Sequence, residues 1–154
     1  MSIERVKDYF SNYGIEERIQ EFDISSATVE LAAIALHCKP ERIAKTLSFL
    51  AEDRVILVVI AGDRKVDNKK YKMQFQTKAK MVSSEEAEIR VGHAIGGICP
   101  FAVNKGVEVY LDVSLKRFTT VFPACGSSNS AIELTISELE IYSGYRKWID
   151  ICKE

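Results

Sequence analysis

Apolar positions Ile3, Val6, Tyr9, Phe10 and Tyr13 recur at helical spacing, and Gly14 offers a stop after them. Residues 17–23 then read as a first strand. Ser25, Ser26, Ala27 and Thr28 supply N-cap candidates for a helix carrying Leu31, Ala32, Ile34, Ala35 and Leu36. That helix is expected to end near Cys38, because Pro40 disfavours helix in the residue before it. Pro40 opens a second short helix, and residues 46–51 read as strand. A turn at Asp53 and Arg54 leads into 55–61, an unbroken apolar run of the kind buried on both faces of a sheet. Residues 67–76 read as a helix, 80–82 as a short strand, and Ser83 with Glu86 as a capping box for a helix ending before Gly92.

Downstream, 107–112 and 119–122 alternate like strands, and a turn-rich loop follows over 123–130. Residues 131–136 read as a further strand. Ser137 with Glu140 then forms a capping box for a C-terminal helix. Six or seven strands mixed with short helices, without regular βαβ alternation, predict an α+β fold built on a mixed sheet or small barrel.

The chain of 154 residues predicts one domain over 1–154. Hydrophobic residues make up 47% and charged residues 28%, the balance of a soluble globular protein, and no apolar run reaches the roughly 20 residues of a membrane span. The N-terminal segment is charged and amphipathic, unlike a signal peptide, so a cytoplasmic location is expected. Cys38, Cys99, Cys125 and Cys152 lack the paired spacing of structural zinc sites and suit a reducing compartment. Net charge is −1, but seven basic residues against the single acid Asp67 fall between Arg64 and Lys80. That excess can neutralise phosphates on a chain neutral overall, or simply form a solvated lysine-rich helix.

Three of the eight glycines, Gly92, Gly96 and Gly97, fall within six residues, and Pro100 closes the stretch. Such a loop is either a tight turn or a fixed array of amide N–H groups able to hold an anion or an ester oxygen. Lys45 stands where a helical segment meets a strand; there it snorkels to the surface, or enters a cleft to hold a phosphate or polarise a carbonyl. Cys99 is a conceivable nucleophile with His93 or His37 as base, but no third orienting group is evident. Two histidines 56 positions apart make a metal hydrolase unpromising, and no nucleotide-binding fingerprint is present.

Three segments together resemble the YbaK/ProX family of aminoacyl-tRNA deacylases, whose members include the editing domain inserted in bacterial prolyl-tRNA synthetases. They are Ile43-Ala44-Lys45-Thr46-Leu47, Gly92-His93-Ala94-Ile95-Gly96-Gly97-Ile98-Cys99-Pro100-Phe101, and Pro123-Ala124-Cys125-Gly126-Ser127-Ser128-Asn129. Their order and spacing fit over about residues 20–142. The resemblance implies a compact, barrel-like mixed sheet surrounded by short helices, and hydrolysis of the ester joining a wrong amino acid to tRNA. It implies Lys45 at the 3′-terminal nucleotide, and Gly96, Gly97 and Pro100 shaping a backbone that holds the substrate. His93, Ile98, Cys99, Gly126, Ser127 and Asn129 are the further substrate-binding candidates. No side-chain nucleophile, metal or cofactor is implied. The implied partners are aminoacyl-tRNA and prolyl-tRNA synthetase, with neither membrane nor DNA. Lys65, Lys69, Lys70 and Lys72 are candidates for meeting the acceptor stem.

One departure bears on specificity. Cysteine-specific members carry an aspartate shortly before the strand that here reads Ile132-Glu133-Leu134, and this chain has Ser130 or Ala131 there. Alanine, serine and threonine are therefore candidate substrates beside cysteine.

Overall fold

The apolar run 55–61 lies at the centre of the molecule, every residue in it at most 4% exposed. The structure is a computed structural model that describes residues 2–94 and 96–154. Met1, and Ile95 of the glycine-rich motif, lie outside the described residues. The elements run α1 (Ser2–Ser11), β1 (Gln20–Glu21), α2 (Val29–Leu36), β2 (Ile43–Ala51), β3 (Arg54–Ala61), α3 (Asn68–Phe75), α4 (Ser84–Val91) and β4 (Glu108–Asp112). Then come β5 (Thr120–Pro123), β6 (Ser130–Ala131), β7 (Leu134–Thr135), α5 (Ile136–Ser143) and β8 (Trp148–Ile149).

Six strands form one mixed sheet in the order β7-β5-β2-β3-β4-β8, curled into a half-barrel, and β1 pairs with β6 in a separate two-stranded ribbon. The expected α+β mixed sheet with short helices around it is the fold observed. Strands β2 and β3 make an eight-pair antiparallel hairpin, turned at Glu52 and Asp53 with Glu52 at φ 58°. Because side chains alternate across a strand, β3 divides its burial between two layers. Val59 and Ala61 pack with Val6 and Phe10 of α1 and Leu139 of α5, while Val55 and Leu57 meet Ala87 and Val91 of α4. Ile56, Val58 and Ile60 face the other way, packing with Phe49 of β2 and under Tyr71 of α3. Helix α2 covers the same face nearer β5, through Ala32 and Ala33 against Ile43 and Phe122.

Caps explain most helix ends. Thr28, Asp67 and Ser83 each accept a backbone N–H of the first turn, and Gly92 and Gly144 end α4 and α5 in the left-handed region. The expected helix over 67–76 is thus α3, held at its start by Asp67. Helix α2 stops at His37, which takes the left-handed conformation at φ 54°.

Several expectations need correction. The strand expected over 17–23 shrinks to β1, because Glu16–Arg18 winds into a 3₁₀ turn immediately before it. The strand expected over 131–136 breaks into β6 and β7: Ile132 donates its N–H to the Pro123 carbonyl, and Thr135, the last residue of β7, pairs with Thr120 and caps α5, which ends the strand. The capping box of the last helix is Thr135 with Glu138, not Ser137 with Glu140. Starting two residues earlier buries Leu139 and lets Arg18 hold the Glu138 carboxylate through both terminal guanidinium nitrogens. Residues 80–82 contribute only a bridge, Phe49 to Met81. Strand β8 has no counterpart in the expectation: two residues are too few to show alternation.

Candidate functional site

The parallel pairing of β2 with β5 covers only Ile43–Phe122 and Ala44–Pro123, after which the strands part. A cleft of about 180 Å³ opens at that seam, smaller than the roughly 300 Å³ of ordinary ligand pockets. Its walls are Ser26–Val29 at the start of α2, residues 43–46 of β2, Gly96 and Ile98, and Ser130 and Ala131 of β6. Lys45 is the one charged residue among those lining it. No ion pair or hydrogen bond engages its ammonium among the described residues. In the β2 alternation Lys45 shares a face with Leu47 and Phe49, so its side chain rises on the side of the sheet covered by α2 and α3.

Two loops close the far wall and are built against each other. In the first, Gly97 donates its N–H to the Ala94 carbonyl at 3.0 Å, closing a turn in which Gly96 takes φ +82°. A Cβ on Gly97 would sit 2.3 Å from the Ser127 nitrogen, so this close backbone approach requires glycine. In the second loop, Gly126 is at φ +90°. Ser128 accepts the Ser26 N–H at 2.7 Å, and Asn129 exchanges hydrogen bonds with the Phe22 backbone at 2.8 and 2.9 Å. Ser127 Oγ joins Ser130 Oγ at 2.6 Å. The Ser2 hydroxyl, at the start of α1, ties the two loops together: it accepts the Ala94 N–H at 3.2 Å and donates to the Gly126 carbonyl.

The expected site residues therefore separate by position. Lys45, Gly96 and Ile98 line the cleft. Gly97 and Gly126 stand behind it as the contact between loops, and Ser127 and Asn129 brace the second loop. Pro100 is buried outside the lining.

His93 and Cys99, expected to contact substrate, have side chains in the interior instead. Both are fully buried, and Cys99 belongs to the main core. His93 Nε2 lies 2.6 Å from the Phe101 carbonyl, which makes Nε2 the protonated nitrogen and leaves Nδ1 buried without a partner among the described residues. Burial depresses the His93 pKa, outweighing the Phe101 hydrogen bond. Burial also pushes the Cys99 thiol up to about 12. Its sulfur is 3.5 Å from His93 Nε2, but that nitrogen already carries a proton aimed at Phe101 and cannot take the thiol's. Residue type draws attention to both, yet no described residue from Val91 to Phe101 is exposed, and the chemistry-bearing side chains of the motif turn inward with Phe101.

A neutral buried histidine has a consequence for stability. With the folded pKa below the unfolded value of about 6.5, the unfolded chain binds more protons between the two. Stability is therefore full above about pH 6.5 and falls as the pH drops toward the folded pKa. Melting curves from pH 7.5 to 5 should show a steeper acid-side loss for the native protein than for His93→Gln. Parallel curves would contradict this.

Of the basic segment, Lys65, Lys69 and Lys72 are exposed on and beside α3, on the face of the sheet that carries Lys45. Lys70 differs: its ammonium binds the Asp150 carboxylate at 3.2 Å and the Cys152 carbonyl at 2.8 Å. Residues the sequence did not single out complete the cleft, notably Thr28, Thr46 and Phe122. Only Thr46 carried a signal, its place beside Lys45. Among the described residues no three His, Cys, Asp or Glu side chains gather as metal ligands, and no helix is long and apolar enough to cross a membrane.

The mixed half-barrel fold is shared with known proteins. A crystal structure described as that of a candidate trans-editing enzyme for prolyl tRNA synthetase superposes with a TM-score of 0.88 at 26% identity, covering 99% of this chain and 98% of the other. The chain is 54% identical over its whole length, and 99% of the relative's, to the uncharacterized protein YwhH of Bacillus subtilis (strain 168). It is 28% identical to a stretch of the proline--tRNA ligase of Geobacillus sp. (strain WCH70), matching 72% of this chain but only 21% of the ligase. The aminoacyl-tRNA editing domain matches residues 25–141, and the chain belongs to that family.

Proposed function

We propose that this protein is a trans-acting editing hydrolase, which cleaves the ester of a small amino acid mischarged on tRNA, foremost tRNAPro. The observation that carries the reading is Lys45, a cation unpaired among the described residues, beside a small cleft whose described lining is otherwise neutral. A lysine so placed suits a terminal-nucleotide phosphate. The cleft beside it suits an aminoacyl group but not a whole nucleotide. The likeness to a candidate trans-editing enzyme and to a segment of prolyl-tRNA synthetases supports both the substrate class and the proline system.

The chemistry asks little of side chains. An aminoacyl ester is already activated, so a positioned water, backbone donors on the carbonyl oxygen and the neighbouring ribose hydroxyl of the substrate suffice. Gly97 N–H is engaged with Ala94, whereas the N–H groups of Gly96 and Ile98 have no partner among the described residues. Those two are the donors this loop offers to the cleft. Gly97 and Pro100 act by fixing the loop's path. Ser130 and Ala131 line the wall where the cysteine-specific relatives have aspartate, so no carboxylate selects the side chain, and alanine, serine and cysteine all fit the charge of the site. Lys65, Lys69 and Lys72 present the surface that meets acceptor-stem phosphates, on the face from which Lys45 rises.

Purified protein given alanyl-, cysteinyl- or seryl-tRNAPro is expected to release the free amino acid and leave tRNA that can be recharged. Retention of intact aminoacyl-tRNA without release would mark a binding module instead. Cys99→Ala should keep the native deacylation rate, because a buried thiol at about 12 supplies no thiolate at neutral pH. Abolished turnover with tRNA binding intact would reinstate a cysteine nucleophile.

A further inference from the structure

The open stretch of β2 carries unpaired backbone groups at one residue. In an antiparallel hairpin the N–H and C=O of a residue point to one side, and successive residues alternate. On β2 the Ser48 carbonyl accepts from Val82 and the Leu50 N–H donates to Lys80, both on the side away from β3. Thr46 has the same parity, so its N–H and C=O point to that side too. There the pairing with β5 has ended at Ala44 and the bridging by 80–82 has not begun. No hydrogen bond reaches either group among the described residues. The Thr46 hydroxyl is also buried without a partner among the described residues, although Thr46 lines the cleft. Among the described residues, three polar groups of one residue thus stand unsatisfied at the seam, where an unfilled buried hydroxyl alone is costly.

The geometry points to Thr46 as the residue that receives the aminoacyl group, by pairing with it as one strand residue pairs with another. An aminoacyl ester carries an amine and a carbonyl on one carbon, as a peptide residue does. In a reciprocal antiparallel pair the substrate amine donates to the Thr46 carbonyl, and the Thr46 N–H donates to the ester carbonyl. This arrangement sends the ester oxygen and ribose back along β2 toward Lys45, which the proposed editing reaction, on which this inference rests, places at the terminal nucleotide. It also explains how an α-ammonium is received in a cleft lined by no carboxylate: it meets the Thr46 carbonyl, with the Thr46 hydroxyl as second acceptor. The Thr46 N–H becomes a backbone donor on the reacting carbonyl, added to those of the glycine loop.

The probe is 3′-(alanylamino)-3′-deoxyadenosine, whose amide replaces the ester and resists hydrolysis. In the free protein the Thr46 amide should exchange with solvent faster than those of Lys45 and Leu47, which face β3. Saturation with the analogue should slow Thr46 at least about tenfold. Thr46→Val removes the hydroxyl and keeps the shape. It should leave the melting temperature equal or higher, since a buried unpartnered group is lost, while deacylation falls about tenfold. Thr46→Ser should restore most of that activity. An active wild type whose Thr46 amide stays unprotected in the presence of bound analogue, or a Thr46→Val protein of native activity, overturns the pairing and leaves the editing reaction standing. A wild type inactive on every mischarged tRNA overturns both.

Discussion

Replacing Lys45 by alanine is expected to lower kcat/KM for deacylation by about 10- to 150-fold while leaving the fold intact. The magnitude follows from one hydrogen bond to a charged group, about 1.5–3 kcal/mol, lost from the substrate complex. Stability should change by no more than about 0.5 kcal/mol, because Lys45 is only partly buried and makes no ion pair among the described residues that the substitution would break. Lys45→Arg keeps the charge but spreads it over a planar fork that the seam between β2 and β5 was not shaped for, so it should recover only part of the loss. The loss should appear on every mischarged tRNA alike, since a phosphate contact is blind to the amino acid. Native activity in Lys45→Ala would remove the cation from the mechanism.

Gly97→Ala should produce the largest stability loss among the glycine substitutions of the site. The new Cβ would meet the Ser127 nitrogen at 2.3 Å and the Gly126 carbonyl carbon at 2.4 Å, both backbone atoms that cannot swing aside as a side-chain tip can. The two loops must separate, at a cost of about 3 kcal/mol or more. For a chain of this size that corresponds to a melting temperature lower by about 6–12 °C. Activity should fall with it even at temperatures where the variant is folded, because Gly96 and Ile98 move with the loop. Gly14→Ala provides the contrast: the position has φ +70° and nothing within 4 Å of a Cβ, so only a left-handed residue's strain of about 1–2 kcal/mol is added, far from the cleft. Equal melting temperatures for the two variants would refute the account of how the loops pack.

Much of this architecture is legible in the chain itself. The run 55–61 announces a central strand because seven successive apolar residues can be satisfied only between two covered faces. Ser83 and Gly92 announce the ends of α4 through caps that act locally. What the chain does not show is whatever depends on a distant partner. Strands of two residues, such as β1, β6, β7 and β8, exist only because a neighbour in space holds them, and Thr135 prevails over Ser137 as a cap because of what Leu139 and Glu138 meet. The site divides in the same way. Lys45 and the glycines stand out by residue type. His93 and Cys99 look chemical but serve the interior, since burial is set by α1 and the sheet rather than by their own loop. Thr46 looks ordinary, and its interest comes from two strands that part beside it.

The proposed enzyme acts alone, hydrolysing a mischarged aminoacyl-tRNA and sparing the correct one. The decisive measurement is a time course of amino-acid release from alanyl-, seryl-, cysteinyl- and prolyl-tRNAPro, with purified protein and no synthetase present. At least one of the first three should be deacylated well above the spontaneous rate, with prolyl-tRNAPro left near that rate. Release at the spontaneous rate from all four, or equal release from prolyl-tRNAPro, would contradict the account.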